Sequence, residues 1–94
     1  MQAGFTVSAR NFKKAVDRNR IKRLMREAYR LQKNPLREHL QESRKSIAVF
    51  FVYTGNELPQ YDVVFEKINA ALQKLEKLII EWNEDYLLVI ISLF

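Results

Sequence analysis

The chain has 94 residues, no cysteine, a single histidine and a formal net charge of +5. This length favours one domain, and the composition excludes disulfides, thiolate metal sites and multi-histidine metal centres. A chain without cysteine also fits a cytoplasmic location. The charge is unevenly divided, because residues 1–45 hold 13 Lys+Arg against 4 Asp+Glu, whereas residues 46–94 hold 3 against 7. The basic half predicts a polyanionic partner, either nucleic acid or an anionic membrane.

The first predicted element is a short strand over Phe5–Ser8, which alternates apolar and polar residues and contains β-branched side chains. The connection that follows, Ala9–Lys14, contains three cations: Arg10, Lys13 and Lys14. Hydrogen-bond donors at this turn could bind phosphate groups, and a solvated turn is the alternative interpretation.

A strongly basic helix is predicted to begin near Ala15 to Asp17 and to end near Lys33-Asn34, because Pro35 disfavours the helical conformation in the residue before it. One side of this helix has the spacing of a buried stripe, with Ile21, Leu24, Met25, Ala28 and Leu31. The other side has Arg18, Asn19, Lys22, Arg23, Arg26 and Arg30, and Arg20 lies in the same stretch. Because only Asp17 and Glu27 are available to neutralise these cations, the face indicates an acidic ligand and not solubility alone.

The rest of the chain predicts a scaffold. A short helix over Leu36–Ser43 precedes a strand over Ser46–Tyr53, whose continuous apolar sequence indicates burial on both faces. After a loop, a core-packing helix begins at Tyr61 or Asp62, with a buried stripe of Val64, Ile68, Leu72, Leu75, Ile79 and Trp82. Asn83–Asp85 breaks this helix. The apolar segment Tyr86–Phe94 predicts a further buried strand, because it is far shorter than the ~20 residues that span a bilayer as a helix.

Strands joined by long helical connections are expected to be parallel neighbours in one sheet. The sequence therefore predicts the α+β class, as a two-layer α/β sandwich with a small, mostly buried sheet and a βαβ crossover. The sheet packs against the basic helix and the long C-terminal amphipathic helix. The general rule makes such a crossover right-handed.

No catalytic set is recognisable in the sequence. Gly4 and Gly55 are the only glycines, so no nucleotide-binding glycine-rich loop is present, and His39 has no obvious Ser or Asp partner. The basic helix provides the candidate functional residues instead, because arginine pairs with phosphate in bidentate fashion and lysine supplies a mobile charge. Asn19 could fix the register on a phosphate or hold the water shell of Mg²⁺. Recognition of folded RNA through shape and backbone is a better match than base reading.

The string KKAVDRNRIKRLMREAYR resembles the signature helix of the bacterial ribonuclease P protein component, known as the RNR motif. The matching residues are Arg18-Asn19-Arg20, Ile21-Lys22-Arg23 and Arg26-Glu27. The preceding FTVSARNFKKA is similar to the strand and turn that lead into that helix in the family. The resemblance is specific from about Phe5 to Tyr29, looser to Tyr53 and only architectural after that.

This resemblance implies a protein subunit of ribonuclease P that binds the catalytic RNA. The holoenzyme removes the 5′ leader from precursor tRNA, and the RNA supplies the catalytic centre with Mg²⁺. The resemblance also implies a ribosomal protein S5 domain 2-like fold, with a left-handed crossover at the βαβ unit.

Residue roles carried over by position follow from the same resemblance. By position, Arg18, Asn19, Arg20, Arg23 and Arg26 would face the RNA subunit or its metals, with Asn19 contacting metal through water. The other cations of the basic loop and helix complete the predicted RNA-binding set: Arg10, Lys13, Lys14, Lys22 and Arg30. Phe5, Lys22 and Arg26 would lie on the side of the leader. Val7 and Phe51 are further candidates near that cleft, although they and Phe5 also fit the core. No residue is expected to be catalytic.

Family members carry an N-terminal helix and two strands before the position of Phe5. The resemblance therefore implies that residues 1–94 are a short, single RNA-binding domain with an open sheet edge. Tyr86–Phe94 could fill that place in the sheet or pair with a second copy of the chain. Two other functions stay open: a membrane-surface protein whose basic face binds anionic lipid, and a generic DNA-binding module with paired helices around Pro35.

Overall fold

The computed structural model describes residues 2–81 and 86–93 of the chain. Its elements are β1 (Gln2–Val7), α1 (Ala15–Gln32), α2 (Asn34–Ser43), β2 (Ser46–Tyr53), α3 (Tyr61–Glu81) and β3 (Tyr86–Leu93). The α+β class is therefore confirmed. The predicted break at Asn83–Asp85, the stripe residue Trp82 and the terminal Phe94 lie outside the described residues.

The three strands form one parallel sheet in the order β1-β2-β3. β1 pairs with β2 from Gln2↔Ala48 to Val7↔Tyr53, and β3 pairs along the whole of β2, ending at Tyr53↔Leu93. Strands joined by helical connections are thus parallel neighbours, as predicted. The apolar C-terminal segment joins the sheet as a strand, as predicted. The prediction that this strand is buried is wrong, because Leu88 and Ile90 are exposed.

The hydrophobic core lies between one face of the sheet and the helices. Alternate residues of β2, including Val49 and Phe51, are fully buried against it. α1 contributes Ile21, Met25 and Ala28, and the predicted stripe of α3 is buried from Val64 to Ile79. The apolar period of each helix therefore identifies the side that packs on the sheet.

The opposite face of the sheet is open, so the prediction that β2 is buried on both faces is wrong. Phe50 is 46% exposed, and its neighbours on β3, Leu88 and Ile90, are 57% and 68% exposed. All the helices pack on one side, and no second layer of described residues covers the other. The Phe50 ring lies across β1, where a Cβ on Gly4 would come within 2.6 Å of Phe50 Cδ1. Glycine at this strand position therefore makes room for the ring.

Several element boundaries and one buried position differ from prediction. β1 begins three residues earlier than expected, and α2 begins at Asn34 instead of Leu36. Leu31 was predicted to be buried, but it is 55% exposed. The position of Leu31 around α1 lies beyond the buried side of the helix. The next residue, Gln32, makes the contact with α3 instead, because its Nε2 donates to the Phe65 carbonyl at 3.0 Å. α2 ends at Ser43, and the left-handed conformation of Arg44 (φ 55°) lets the N–H of Lys45 reach the Leu40 carbonyl at 3.1 Å.

Candidate nucleic-acid interface

The outward face of α1 forms an open groove of about 460 Å³. Its lining residues are Val16, Asn19, Arg20, Arg23 and Arg26. All five are exposed, because they lie on the opposite side of the helix from the buried Ile21, Met25 and Ala28. The structure thus brings four of the predicted RNA-binding residues together on one rigid surface.

Little of this charge is neutralised within the protein. Among the described residues, α1 has an ion pair between Arg30 and Glu27, with Nη2 2.6 Å from Oε1 and Nε 3.2 Å from Oε2. The hydrogen bonds from Arg30 lower the pKa of the Glu27 carboxyl, and they raise the pKa of Arg30. Arg20, Arg23 and Arg26 form no such pair with any described carboxylate. Arg30 is therefore on the basic face but already engaged.

Arg18 and Lys22 occupy the flank of α1 and not its fully exposed side. Both are half-buried. Arg18 Nη1 donates to the carbonyl oxygens of Phe12 and Lys13 at 2.8 and 2.9 Å. The prediction that Arg18 lies on the solvent-facing side of α1 with Arg23 is therefore wrong, because the Arg18 guanidinium turns back to the preceding loop.

The three cations before α1 lie on an ordered loop at the carboxyl ends of the strands. Arg10, Lys13 and Lys14 are exposed, whereas Phe12 is buried 5.9 Å from the Tyr53 ring. The Phe12 N–H donates to the Ser8 carbonyl at 3.2 Å. The buried ring thus anchors the middle of the loop while its charged neighbours face solvent.

Asn11 is a structural residue of this loop that sequence reasoning missed. Its Nδ2 donates to the carbonyl oxygens of Thr54 and Gly55, both at 3.2 Å. These partners follow it by more than 40 positions, so no local period indicates the contact. The preference of asparagine for hydrogen-bonded turns was the one available signal.

The leader-side candidates divide between surface and core. Val7 and Phe51 are buried, so these two candidates belong to the core. Phe5 is half-buried, with its ring 5.6 Å from Tyr29 and 5.5 Å from Phe51. Tyr29 follows Arg26 by three residues and Lys22 by seven, so the three side chains share one flank of α1.

The polar groups near Asn19 do not fit a metal site made by protein alone. Asn19 shares its groove with Arg20, Arg23 and Arg26, whose charges repel a divalent cation. Among residues 2–81 and 86–93, no group of three carboxylate, histidine or cysteine side chains could hold a metal ion. Magnesium would therefore need phosphate oxygens from an RNA partner before Asn19 could contact its water shell.

None of the described helices combines the length and the apolar character needed to cross a membrane. The fold and the basic surface together define a small α+β protein with a cationic helix face, which the described carboxylates neutralise only at Arg30. Such a face is typical of nucleic-acid-binding domains.

The chain belongs to the Ribonuclease P family, whose sequence model matches residues 1–76. It is 42% identical over 69 residues to the ribonuclease P protein component of Porphyromonas gingivalis, covering 73% of this chain and 47% of that protein. It is 34% identical over 82 residues to the protein of the same name from Chlorobium phaeobacteroides, covering 80% of this chain and 56% of that protein. The chain thus spans about half the length of the curated relatives it matches, and β3 lies beyond the matched residues.

A shorter segment is 72% identical over 32 residues to the ribonuclease P protein component of Chlorobaculum tepidum, which is 34% of this chain and 21% of that protein. No solved structure matches the chain. The family predicted from the RNR motif is confirmed.

Proposed function

We propose that this chain binds the RNA of ribonuclease P and acts as an accessory subunit of that endoribonuclease. The RNA would supply the catalytic centre, and the holoenzyme would remove the 5′ leader from precursor tRNA in the cytoplasm. The observation that carries this proposal is the groove on α1, where Arg20, Arg23 and Arg26 are exposed and pair with none of the carboxylates that the structure describes. The names of its relatives, which are ribonuclease P protein components, support the same function.

RNA binding would rest on phosphate contacts from two adjoining surfaces. The guanidinium groups of the α1 groove can each pair with phosphate oxygens in bidentate fashion. Arg10, Lys13 and Lys14 would add contacts beside the beginning of the helix. Such contacts release counterions, so affinity for RNA should fall steeply with salt concentration.

Magnesium would be held at the RNA–protein interface. RNA phosphates would provide the negative charge, and Asn19 would accept or donate hydrogen bonds to the hydrated ion. When bound there, Mg²⁺ would reduce repulsion between closely packed phosphates. The protein would raise the affinity of the RNA for this ion by placing a polar group beside cations that also attract phosphate.

The 5′ leader of precursor tRNA would pass along the flank of α1 that faces β1. Lys22 and Arg26 offer charge on this flank, and the half-buried Phe5 offers part of an aromatic surface. Because Phe5 already contacts Tyr29 and Phe51, its contribution would be a fixed edge and not a freely moving ring.

Reconstitution with a bacterial ribonuclease P RNA tests the proposal. We expect the chain to raise cleavage of precursor tRNA at magnesium concentrations too low for the RNA alone. An Arg20→Ala, Arg23→Ala double variant should lose this effect while folding normally. Absence of both RNA binding and stimulation by the unaltered chain would overturn the proposal. Flotation with vesicles of anionic lipid, in place of RNA binding, would support the membrane-surface alternative.

We also propose that β3 can pair with a second copy of the chain. The described strand contains no charged residue or proline, and such edges readily pair with other strands. Leu88 and Ile90 extend the apolar surface on the open face beside this edge. Sedimentation should show a concentration-dependent dimer that Ile90→Lys weakens. A monomer at all concentrations would contradict this part of the proposal.

A further inference from the structure

The side chain of Arg18 stabilises the loop that precedes its own helix. Its Nη1 donates to two successive carbonyl oxygens, those of Phe12 and Lys13, at 2.8 and 2.9 Å. A terminal guanidinium nitrogen carries two hydrogens, so this atom is fully used. The side chain is part-buried, unlike Arg23 on the open groove.

A second set of hydrogen bonds holds the same loop from the opposite side. Asn11 bridges to the Thr54 and Gly55 carbonyls, which belong to the connection after β2. Thr54 is fixed in turn, because its N–H and its Oγ1 both donate to the Leu93 carbonyl at 3.1 Å. The loop is thus attached to α1 by Arg18 and to the ends of β2 and β3 by Asn11.

We propose that Arg18 and Asn11 are positioning residues, which act on RNA through the loop at 9–14 and not by direct contact. They hold the backbone so that Arg10, Lys13 and Lys14 point outward together beside α1. This inference rests on the proposed function, because it assigns these cations to RNA phosphates. A loop that is already ordered loses less conformational entropy when its side chains meet phosphates.

The two possible roles of Arg18 predict different dependence of RNA binding on salt. A direct phosphate contact would make Arg18→Ala equivalent to the loss of one cation, which lowers the slope of log affinity against log salt by about 0.7–0.9. A positioning role would remove the contribution of several loop cations at once. The salt slope would then fall by more than the loss of one contact explains. Adding Lys13→Ala to Arg18→Ala would lower the slope little further.

Asn11→Ala gives the sharpest test, because it loosens the loop without removing any charge. We expect it to reduce both the affinity for ribonuclease P RNA and the salt slope. Asn56→Ala is the matched control, since Asn56 is an exposed asparagine on the neighbouring loop. It should leave both quantities unchanged. Arg18→Lys, which keeps the charge but not the planar fork, should resemble Arg18→Ala.

Thermal unfolding of each variant, followed by circular dichroism, separates loop effects from loss of folding. The inference is overturned if Asn11→Ala binds RNA like the unaltered chain while remaining folded, or if the Arg18 and Lys13 substitutions are additive. Arg23→Ala distinguishes this failure from failure of the proposed function. If it lowers the salt slope, RNA still binds the α1 groove, and only the role given to Arg18 and Asn11 is rejected.

Discussion

The groove on α1 makes a quantitative prediction about the salt dependence of RNA binding. We expect Arg20→Ala, Arg23→Ala to remove two phosphate contacts while leaving the fold intact. Both side chains are exposed and neither pairs with a described carboxylate, so their replacement on a helix surface should change the free energy of unfolding by at most about 0.5 kcal/mol. Alanine is also a strong helix former, which preserves the helical surface.

The size of the effect follows from counterion release. Each phosphate contact contributes about 0.7–0.9 to the slope of log affinity against log salt, so two contacts contribute about 1.4–1.8. Over a fourfold rise in salt concentration, the unaltered chain should therefore lose about 7- to 12-fold more affinity than the variant. The difference in RNA affinity between the unaltered chain and the variant should shrink toward zero as the salt concentration rises, because screening weakens the contacts that only the unaltered chain makes.

Fluorescence anisotropy with labelled ribonuclease P RNA, repeated across salt concentrations, measures this slope. Lys74→Ala, Lys77→Ala is a matched control, because it removes two exposed cations from α3 and gives the same net charge. The control should retain the slope of the unaltered chain. Equal slopes for the two double variants would mean that net charge, and not the α1 groove, governs binding, and the reasoning would be refuted.

Three further outcomes are expected. Glu27→Gln should increase RNA affinity and the salt slope, because it releases Arg30 from its ion pair; unchanged binding would place Arg30 away from the RNA. Phe51→Ala should lower the free energy of unfolding in urea by about 3–5 kcal/mol, since the ring is fully buried; a loss below 1 kcal/mol would contradict that packing. Because burial raises the pKa of Tyr29, stability should hold below about pH 10 and fall as pH rises through the raised value. Tyr29→Phe should reduce that fall in urea titrations, and an identical pH profile would contradict it.

The parts of the fold that follow a local period could be predicted from the sequence. α1 begins at Ala15, within the predicted start of Ala15 to Asp17, and β2 has the predicted bounds of Ser46–Tyr53. The buried stripe of α3 also follows from spacing alone. These features depend on residues within a few positions of each other, which is the range over which sequence periodicity carries information.

The open face of the sheet could not be predicted in the same way. β2 is apolar at nearly every position, a pattern that also occurs in strands buried on both faces. Whether its second face is covered depends on where distant elements pack. All the helices pack on the side of Phe51, so Phe50 stays 46% exposed despite having an equally apolar neighbourhood in sequence.

On the basic surface too, the type of each residue was informative in the sequence, whereas the placement of its side chain could not be predicted. Arg18 and Arg23 are chemically identical, and helical spacing put both on the basic side of α1. The position of the Phe12 and Lys13 carbonyls turns Arg18 away from solvent, and that position is set by burial of the Phe12 ring. Residue type therefore leads to the prediction of an anionic ligand, whereas loop geometry decides which cations would be available to it.

The acidic half of the chain consequently has a part in the basic surface. It provides the Thr54 and Gly55 carbonyls that fix Asn11, and Leu93 at the end of β3 holds Thr54 in turn. β3 lies beyond the residues that match the family, so this chain attaches its basic loop to a strand outside the matched region. Charge is concentrated in the first 45 residues, but the hydrogen bonds that arrange part of it come from the second half.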